Sequence, residues 1–371
     1  MKYYLIAGES SGDLYGSLLM AELRKKDPEA EFKFWGGLKM KALSTGQLKS
    51  IKETSFMGFY EVAKNAFKIK GFFDFAKYTI KEYSPDMVIL LDYPGFNLRM
   101  ATWAKDNGYN VTYYISPQLW AWKQGRHKIL RDKIDLFYVI LPFEQDFYRN
   151  LDTPCQYVGH PLLEVIPQNN SEQLELELEE VKVVGLFPGS RKQEIKHHLE
   201  TMVSFALTRP DIKFIIAGVS HISREFYLKH LSHYSPNIDI KYDASYEVMK
   251  EVDFAITSSG TATLELALHN VPQIVIYRTS HISFAIGKRL VNTDYISLVN
   301  LIAQKEVVTE LLQDAFNELA LQTYFEKESS SENRKQTMTA YEKIRQELGS
   351  KSSSKLIAEG IFSFIKRQEV S

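Results

Sequence analysis

The feature of this sequence with the most chemical consequence is a carboxylate that closes an apolar run. Met87-Val88-Ile89-Leu90-Leu91 ends at Asp92, within Asp92-Tyr93-Pro94-Gly95-Phe96-Asn97. A charge ending so apolar a segment needs a partner, and α/β enzymes place chemistry at the carboxyl ends of strands. Asp92 can act as a general base if it lies within hydrogen-bond reach of the hydroxyl it deprotonates. Alternatively it caps the next helix or fixes the Pro94-Gly95 turn.

Four further segments could bind ligand. Ala7-Gly8-Glu9-Ser10-Ser11-Gly12-Asp13 follows the first apolar run. Its small residues allow a tight turn with N–H groups at a helix N-terminus, suited to an anion or a sugar. Ser11 or Asp13 could equally be an N-cap alone. Ser116-Pro117-Gln118-Leu119-Trp120-Ala121-Trp122, followed by Lys123 and Arg126, could line a sugar and phosphate cleft. At least one tryptophan is expected in the core. Pro188-Gly189-Ser190-Arg191 offers backbone amides and a guanidinium fork to a diphosphate, or it is a tight turn with a surface arginine. In Thr257-Ser258-Ser259-Gly260-Thr261-Ala262-Thr263-Leu264-Glu265, the amides of Ser259, Gly260 and Thr261 would point at an anion on a helix axis. Glu265, about one turn in, could reach back to a ribose or serve only as a capping partner.

These residues need a scaffold that gathers strand ends. Tyr3–Ala7, Glu31–Trp35, Met87–Leu91, Asn110–Ile115 and Leu136–Leu141 read as strands, alternating with amphipathic stretches such as Asp13–Lys25. After Gly159-His160-Pro161 and a polar, acidic stretch, the pattern restarts with Val181–Phe187, Phe214–Ala217, Phe254–Thr257 and Gln273–Tyr277. Strands separated by helices predict parallel sheets covered on both faces. The expected fold is α/β, two doubly wound Rossmann-like domains facing a cleft. The expected divisions are 1–165, a linker 166–180, a second domain 181–345 and a C-terminal helical segment 346–371. Ile357–Ile365 is an apolar helix that must pack on something.

At 371 residues the chain is long enough for two domains. A formal net charge of −1 gives no sign of a nucleic-acid binder. The one cysteine, Cys155, excludes a disulfide within the chain and fits a reducing compartment. The N-terminus reads as a strand rather than a signal peptide, and no apolar stretch approaches a membrane span. The expected location is cytoplasmic. The sequence contains no Asp-x-Asp pair to hold a metal on a nucleotide sugar and no P-loop, so neither a metal nor a cofactor is expected. His197 and His198, adjacent on a predicted helix, point in different directions.

Taken together, these motifs resemble the lipid-A-disaccharide synthase family over nearly the whole chain. The resemblance adds Leu141-Pro142-Phe143-Glu144, Val158-Gly159-His160-Pro161-Leu162, residues 288–295 and residues 298–303 to the segments above. It implies an inverting, metal-independent glycosyltransferase with a UDP-2,3-diacylglucosamine donor and a 2,3-diacylglucosamine 1-phosphate (lipid X) acceptor. The product would be a β-1,6-linked tetraacyl disaccharide 1-phosphate, with UDP released. Asp92 carries over as the base, with Glu9 and Ser11 beside it. Arg191, Ser190, Ser259, Gly260, Thr261 and Glu265 carry over as the UDP site, and Asn300, Gln313 and Trp122 as further cleft residues. Relatives often carry a second Asp where this chain has Gly95. The family also suggests a homodimer exchanging C-terminal helices, and peripheral attachment to the cytoplasmic face of the inner membrane. For that attachment, Phe56–Tyr60 and the stretch from Phe67 through Phe72-Phe73, with their lysines, are either an interfacial surface or a core helix. Two rivals remain: another UDP-sugar enzyme such as a UDP-N-acetylglucosamine epimerase, and a non-catalytic nucleotide-sugar sensor.

Overall fold

The computed structural model of the chain describes residues 1–54, 66–167, 178–231, 236–280, 284, 293–349 and 352–370. The chain divides into two units, Met1–Glu164 with Leu348–Ser371, and Val165–Glu347.

In the first unit, β1 (Lys2–Ala7), β2 (Glu31–Gly36), β3 (Gln47–Ser50), β4 (Met87–Leu91), β5 (Val111–Tyr114), β6 (Leu136–Val139) and β7 (Gln156–Tyr157) form one parallel sheet. Its order is β3-β2-β1-β4-β5-β6-β7. All five residues of β4 are buried, as expected of a central strand covered on both faces. The order reverses between β1 and β4, and in such sheets the crevice at the reversal takes the ligand. Register sets what meets there. Ala7 pairs with Leu91 and Leu91 with Tyr114, so Gly8, Asp92 and Ile115 leave the sheet side by side.

In the second unit, β8 (Val183–Phe187), β9 (Lys213–Gly218), β10 (Ile238–Tyr242), β11 (Phe254–Ser258), β12 (Gln273–Tyr277) and β13 (Glu310–Leu312) form a parallel sheet ordered β10-β9-β8-β11-β12-β13. The pleat sends Phe214 and Ile216 into one core and Ile215 and Ala217 into the other. Each unit is doubly wound, as the alternating pattern predicted.

The last helix, Ser353–Val370, belongs to the first unit. Ile357, Ile361 and Ile365 form a buried i, i+4, i+8 stripe. The helix packs on Ser10–Lys26, with a 2.9 Å ion pair from Lys26 to Glu359. Gly360 lets it close on the sheet, since a Cβ there would meet the Tyr138 hydroxyl at 2.1 Å. The apolar helix packs on the first unit of its own chain.

The structure describes part of the aromatic stretch read as either an interfacial surface or a core helix. Residues 55–65, including Phe56–Tyr60, lie outside the described residues. In helix Ala66–Tyr83, Phe72 and Phe73 turn inward. Phe72 packs edge-on to Trp35 (6.1 Å between centroids) and Phe73 edge-on to Phe96 (5.6 Å). Only Phe67 of the three stands out, at 92% exposure.

Candidate functional site

In the first unit the site grows from the end of β4. Asp92 and Tyr93 both take left-handed backbone conformations, at φ 46° and 49°. On the neighbouring strand end, β-branched Ile115 does so at φ 71°. Such conformations cost about 1–3 kcal/mol each and persist only where surroundings enforce them. At Asp92, Asn97 provides enforcement. Its Nδ2 donates to the carbonyls of Asp92 (2.8 Å), Leu91 (3.2 Å) and Ile6 (3.3 Å). Tyr113 Oη donates to the Asp92 carbonyl at 2.8 Å, and the Asp92 N–H donates to Tyr114 at 3.0 Å. The N-cap residue of the next helix is Tyr93 rather than Asp92. Hydrogen bonds fix the Asp92 main chain at two atoms, N and O, and its carboxylate accepts the Tyr93 amide.

Burial pushes the Asp92 carboxyl up to about 7, and the nearby negative charges of Glu9 and Glu144 push the same way. Glu9 is the N-cap residue of helix Ser10–Lys26. Asp13 caps a different helix from its own. Its carboxylate accepts the amides of Gly37 (2.7 Å), Lys39 (3.0 Å) and Met40 (3.1 Å), at the start of helix Leu38–Leu43. Ser11, half-buried, lies in the first turn of Ser10–Lys26.

The tryptophan segment follows β5. Trp120 donates its indole N–H to Glu144 Oε1 at 3.3 Å and packs edge-on to Phe143. Trp122 lies beneath the Lys123 ammonium, 4.4 Å from ring centre to nitrogen. Glu144, buried at 1% exposure, also accepts the amides of Leu141 (3.0 Å) and Ile140 (3.2 Å), and burial pushes it up to about 7. His160 is buried and held neutral, pushed down to about 3, and accepts the Leu162 amide at Nδ1 (3.2 Å).

The second unit differs from expectation in several places. Gly189 has φ 116°, and a Cβ there would meet Glu194 Oε2 at 2.5 Å. That carboxylate accepts the amides of Ser190 (3.1 Å) and Arg191 (3.2 Å), and its other oxygen pairs with the Arg191 guanidinium at 2.7 Å. Glu194 thus already occupies the donors assigned to a diphosphate. The Ser259 amide donates to Ile276 at 3.1 Å and its hydroxyl to Ile296 at 2.8 Å, so it is not aimed along the helix axis. Gly260 and Thr261 begin helix Thr261–Leu268, where amides have no intrahelical acceptor. Glu265 accepts the Tyr246 hydroxyl at 2.8 Å, and burial raises its proton affinity.

Asn300 and Gln313 are fasteners. Asn300 is fully buried. Its Nδ2 donates to Val308 and Glu310 (both 2.8 Å), and its Oδ1 accepts Val307 (2.7 Å) and Val308 (3.0 Å). Those four bonds use its whole capacity, so it does not line a cleft. Gln313 pairs both ways with the Thr279 backbone, at 2.8 and 3.1 Å. His198, buried, joins two strand ends: Nδ1 donates to the Pro188 carbonyl (2.8 Å) and Nε2 accepts the Arg278 amide (3.0 Å). Neither Asn97, Glu144, Glu194 nor His198 was assigned a role from sequence. Asn97 and Glu144 stood within quoted motifs, which was the available signal. Among the described residues, no cluster of three His, Cys, Asp or Glu could hold a metal, and no helix is long and apolar enough to cross a membrane.

Comparison with known proteins separates fold from chemistry. The profile of the lipid-A-disaccharide synthetase family matches residues 3–360. The lipid-A-disaccharide synthase of Syntrophus aciditrophicus is 37% identical over 322 residues, covering 84% of each chain. That of Geobacter metallireducens is 38% identical over 318 residues, covering 84% of this chain and 83% of its own. Similar solved structures include the UDP-GlcNAc 2-epimerase of Neisseria meningitidis (TM-score 0.61, 13% identity, 98% of this chain and 100% of that one). Another is the kitacinnamycin glycotransferase (TM-score 0.61, 12% identity, 97% of each). At such identities the structures share the fold alone.

Proposed function

The chain belongs to the lipid-A-disaccharide synthase family and is a glycosyltransferase of lipid A biosynthesis, and from that premise we propose how its residues divide the reaction. The donor is UDP-2,3-diacylglucosamine and the acceptor 2,3-diacylglucosamine 1-phosphate. The acceptor's 6-hydroxyl attacks the anomeric carbon from the face opposite UDP. A new C–O bond forms as the bond to the diphosphate breaks, and the centre inverts from α to β.

Asp92 takes the hydroxyl proton. The observation that carries this role is its placement: a carboxylate at the topological reversal, its main chain fixed by Asn97 and Tyr113, with a proton affinity raised to about 7. A base works best when its affinity lies near the working pH. Glu9 tunes that affinity through its charge, and Ser11 and Trp122 are proposed to contact the sugar. In the second unit, the Gly260 and Thr261 amides and Arg191 take the diphosphate as it gathers charge, with Ser190 and Ser259 shaping their loops and Glu265 on the ribose. For Arg191 to do so, Glu194 must release it.

Both substrates carry acyl chains, so we also propose peripheral binding to the inner membrane, on the cytoplasmic side, with the exposed Phe67 as its anchor. The test of the catalytic assignment is Asp92→Asn. It should fold as the wild type does, retain UDP binding and lose about 10²- to 10⁴-fold in kcat. A variant with wild-type kcat would remove Asp92 from the chemistry.

A further inference from the structure

The carboxylate of Glu144 has no part in the reaction as described, yet it is buried and lies close enough to Asp92 for its charge to be felt there. It follows β6, while the tryptophan segment follows β5 and Asp92 follows β4. These three strands are consecutive neighbours in the sheet. Glu144 Oε2 gathers the turn after β6 through the Ile140 and Leu141 amides. Its Oε1 takes the Trp120 indole N–H. The base of the same segment is fastened by a second group: Tyr148 Oη lies 2.5 Å from Ser116 Oγ and donates to the Pro117 carbonyl at 3.1 Å.

We propose that Glu144 is a positioning residue for the transfer reaction: its two carboxylate oxygens tie the tryptophan segment to the turn after β6, and so hold the segment that carries Trp122 at the strand edge where Asp92 stands. The proposal rests on Trp122 contacting the sugar and Asp92 being the base.

Two near-isosteric variants break the tie from either side. In Glu144→Gln, the amide oxygen can keep the Ile140 and Leu141 amides, leaving NH₂ against the indole N–H. Trp120→Phe removes the indole donor. Both should lower kcat/KM, by roughly tenfold for one lost hydrogen bond to a carboxylate. The loss should fall on KM more than on kcat, because Asp92 keeps its own supports and the segment that shifts carries Trp122. The double variant should be little worse than either single one, because both remove the same bond. A fully active single variant, a loss confined to kcat, or losses that multiply in the double variant would overturn the proposal. Melting temperatures measured alongside identify loss through unfolding; activity that only tracks melting temperature likewise overturns it. If wild-type protein forms no disaccharide, or Asp92→Asn is fully active, the reading of Asp92 fails instead.

Discussion

The ring of Tyr93 rests on the backbone of Gly8, so closely that a Cβ at Gly8 would stand 2.4 Å from the ring's Cγ. This contact joins the loop after β1 to the turn after β4. The same tyrosine reaches the Thr54 carbonyl at 2.7 Å and stacks on Phe96. Tyr93 neighbours Asp92, and both hold left-handed conformations, so the contact helps decide where the carboxylate stands. Gly8→Ala should therefore displace the ring, cost about 1–3 kcal/mol in unfolding free energy, and lower kcat more than it weakens UDP binding. Urea unfolding and steady-state kinetics check this; equal stability and kcat would show that the loop accommodates a methyl group.

Asp92 also leaves a mark on stability. Its proton affinity in the folded state is about 7, against an ordinary value of 3.8. Between those values the folded chain holds the proton and the unfolded chain has lost it, so this residue's contribution to stability declines as pH rises from about 4 to about 7. Asp92→Asn escapes that decline. Its melting temperature relative to wild type should rise across this window and level off above it. A difference independent of pH would mean that Asp92 carries an ordinary, solvated carboxylate.

Much of this arrangement was legible in the sequence. Met87–Leu91 showed a buried strand because every residue is apolar, and it showed Asp92 because the apolar run stops there. The short strands Gln47–Ser50 and Glu310–Leu312 were not legible, because they are brief and only partly buried. Nor was Ile238–Tyr242, whose pattern alternates with Asp239 and Lys241. Side-chain roles escaped where the partner is remote in sequence or the geometry is chosen by the fold. Asn97 reaches back 91 residues to Ile6. Nothing in Pro188-Gly189-Ser190-Arg191 shows that Glu194 folds over its amides, and the family position of Asn300 does not reveal that all its hydrogen bonds are spent internally.

Asn300 offers a clean discrimination. Asn300→Ala would leave the Val307 and Val308 amides and one Glu310 partnership unmet, at about 2 kcal/mol or more. The folded fraction should bind UDP with wild-type affinity. Calorimetric titration below the melting point checks this, and a selective loss of UDP affinity would return Asn300 to the binding site.

Gly95 tests the missing second carboxylate. It is exposed at the second position of helix Pro94–Asp106, and a Cβ there meets nothing within 4 Å. Gly95→Asp should be accommodated and raise stability by about 0.3–1 kcal/mol through the helix dipole. The added charge should move the acid limb of kcat/KM to higher pH. A fall in stability would indicate that this turn depends on glycine.

The aromatic helix gives a test of membrane contact. Phe67→Ser should reduce sedimentation with anionic phospholipid vesicles and leave stability within about 0.5 kcal/mol of wild type. Phe73→Ser should mainly destabilise the first unit, since its ring packs on Phe96. Unchanged vesicle binding by Phe67→Ser would exclude that residue as an anchor.

The central claim is the transfer itself. Purified protein should be incubated with UDP-2,3-diacylglucosamine and 2,3-diacylglucosamine 1-phosphate, in detergent with a metal chelator, and both products followed by mass spectrometry. Disaccharide 1-phosphate and UDP should appear in equal amounts from the wild type and be nearly absent from Asp92→Asn. UDP released without disaccharide, or folded wild-type protein that turns over neither substrate, would contradict the assignment.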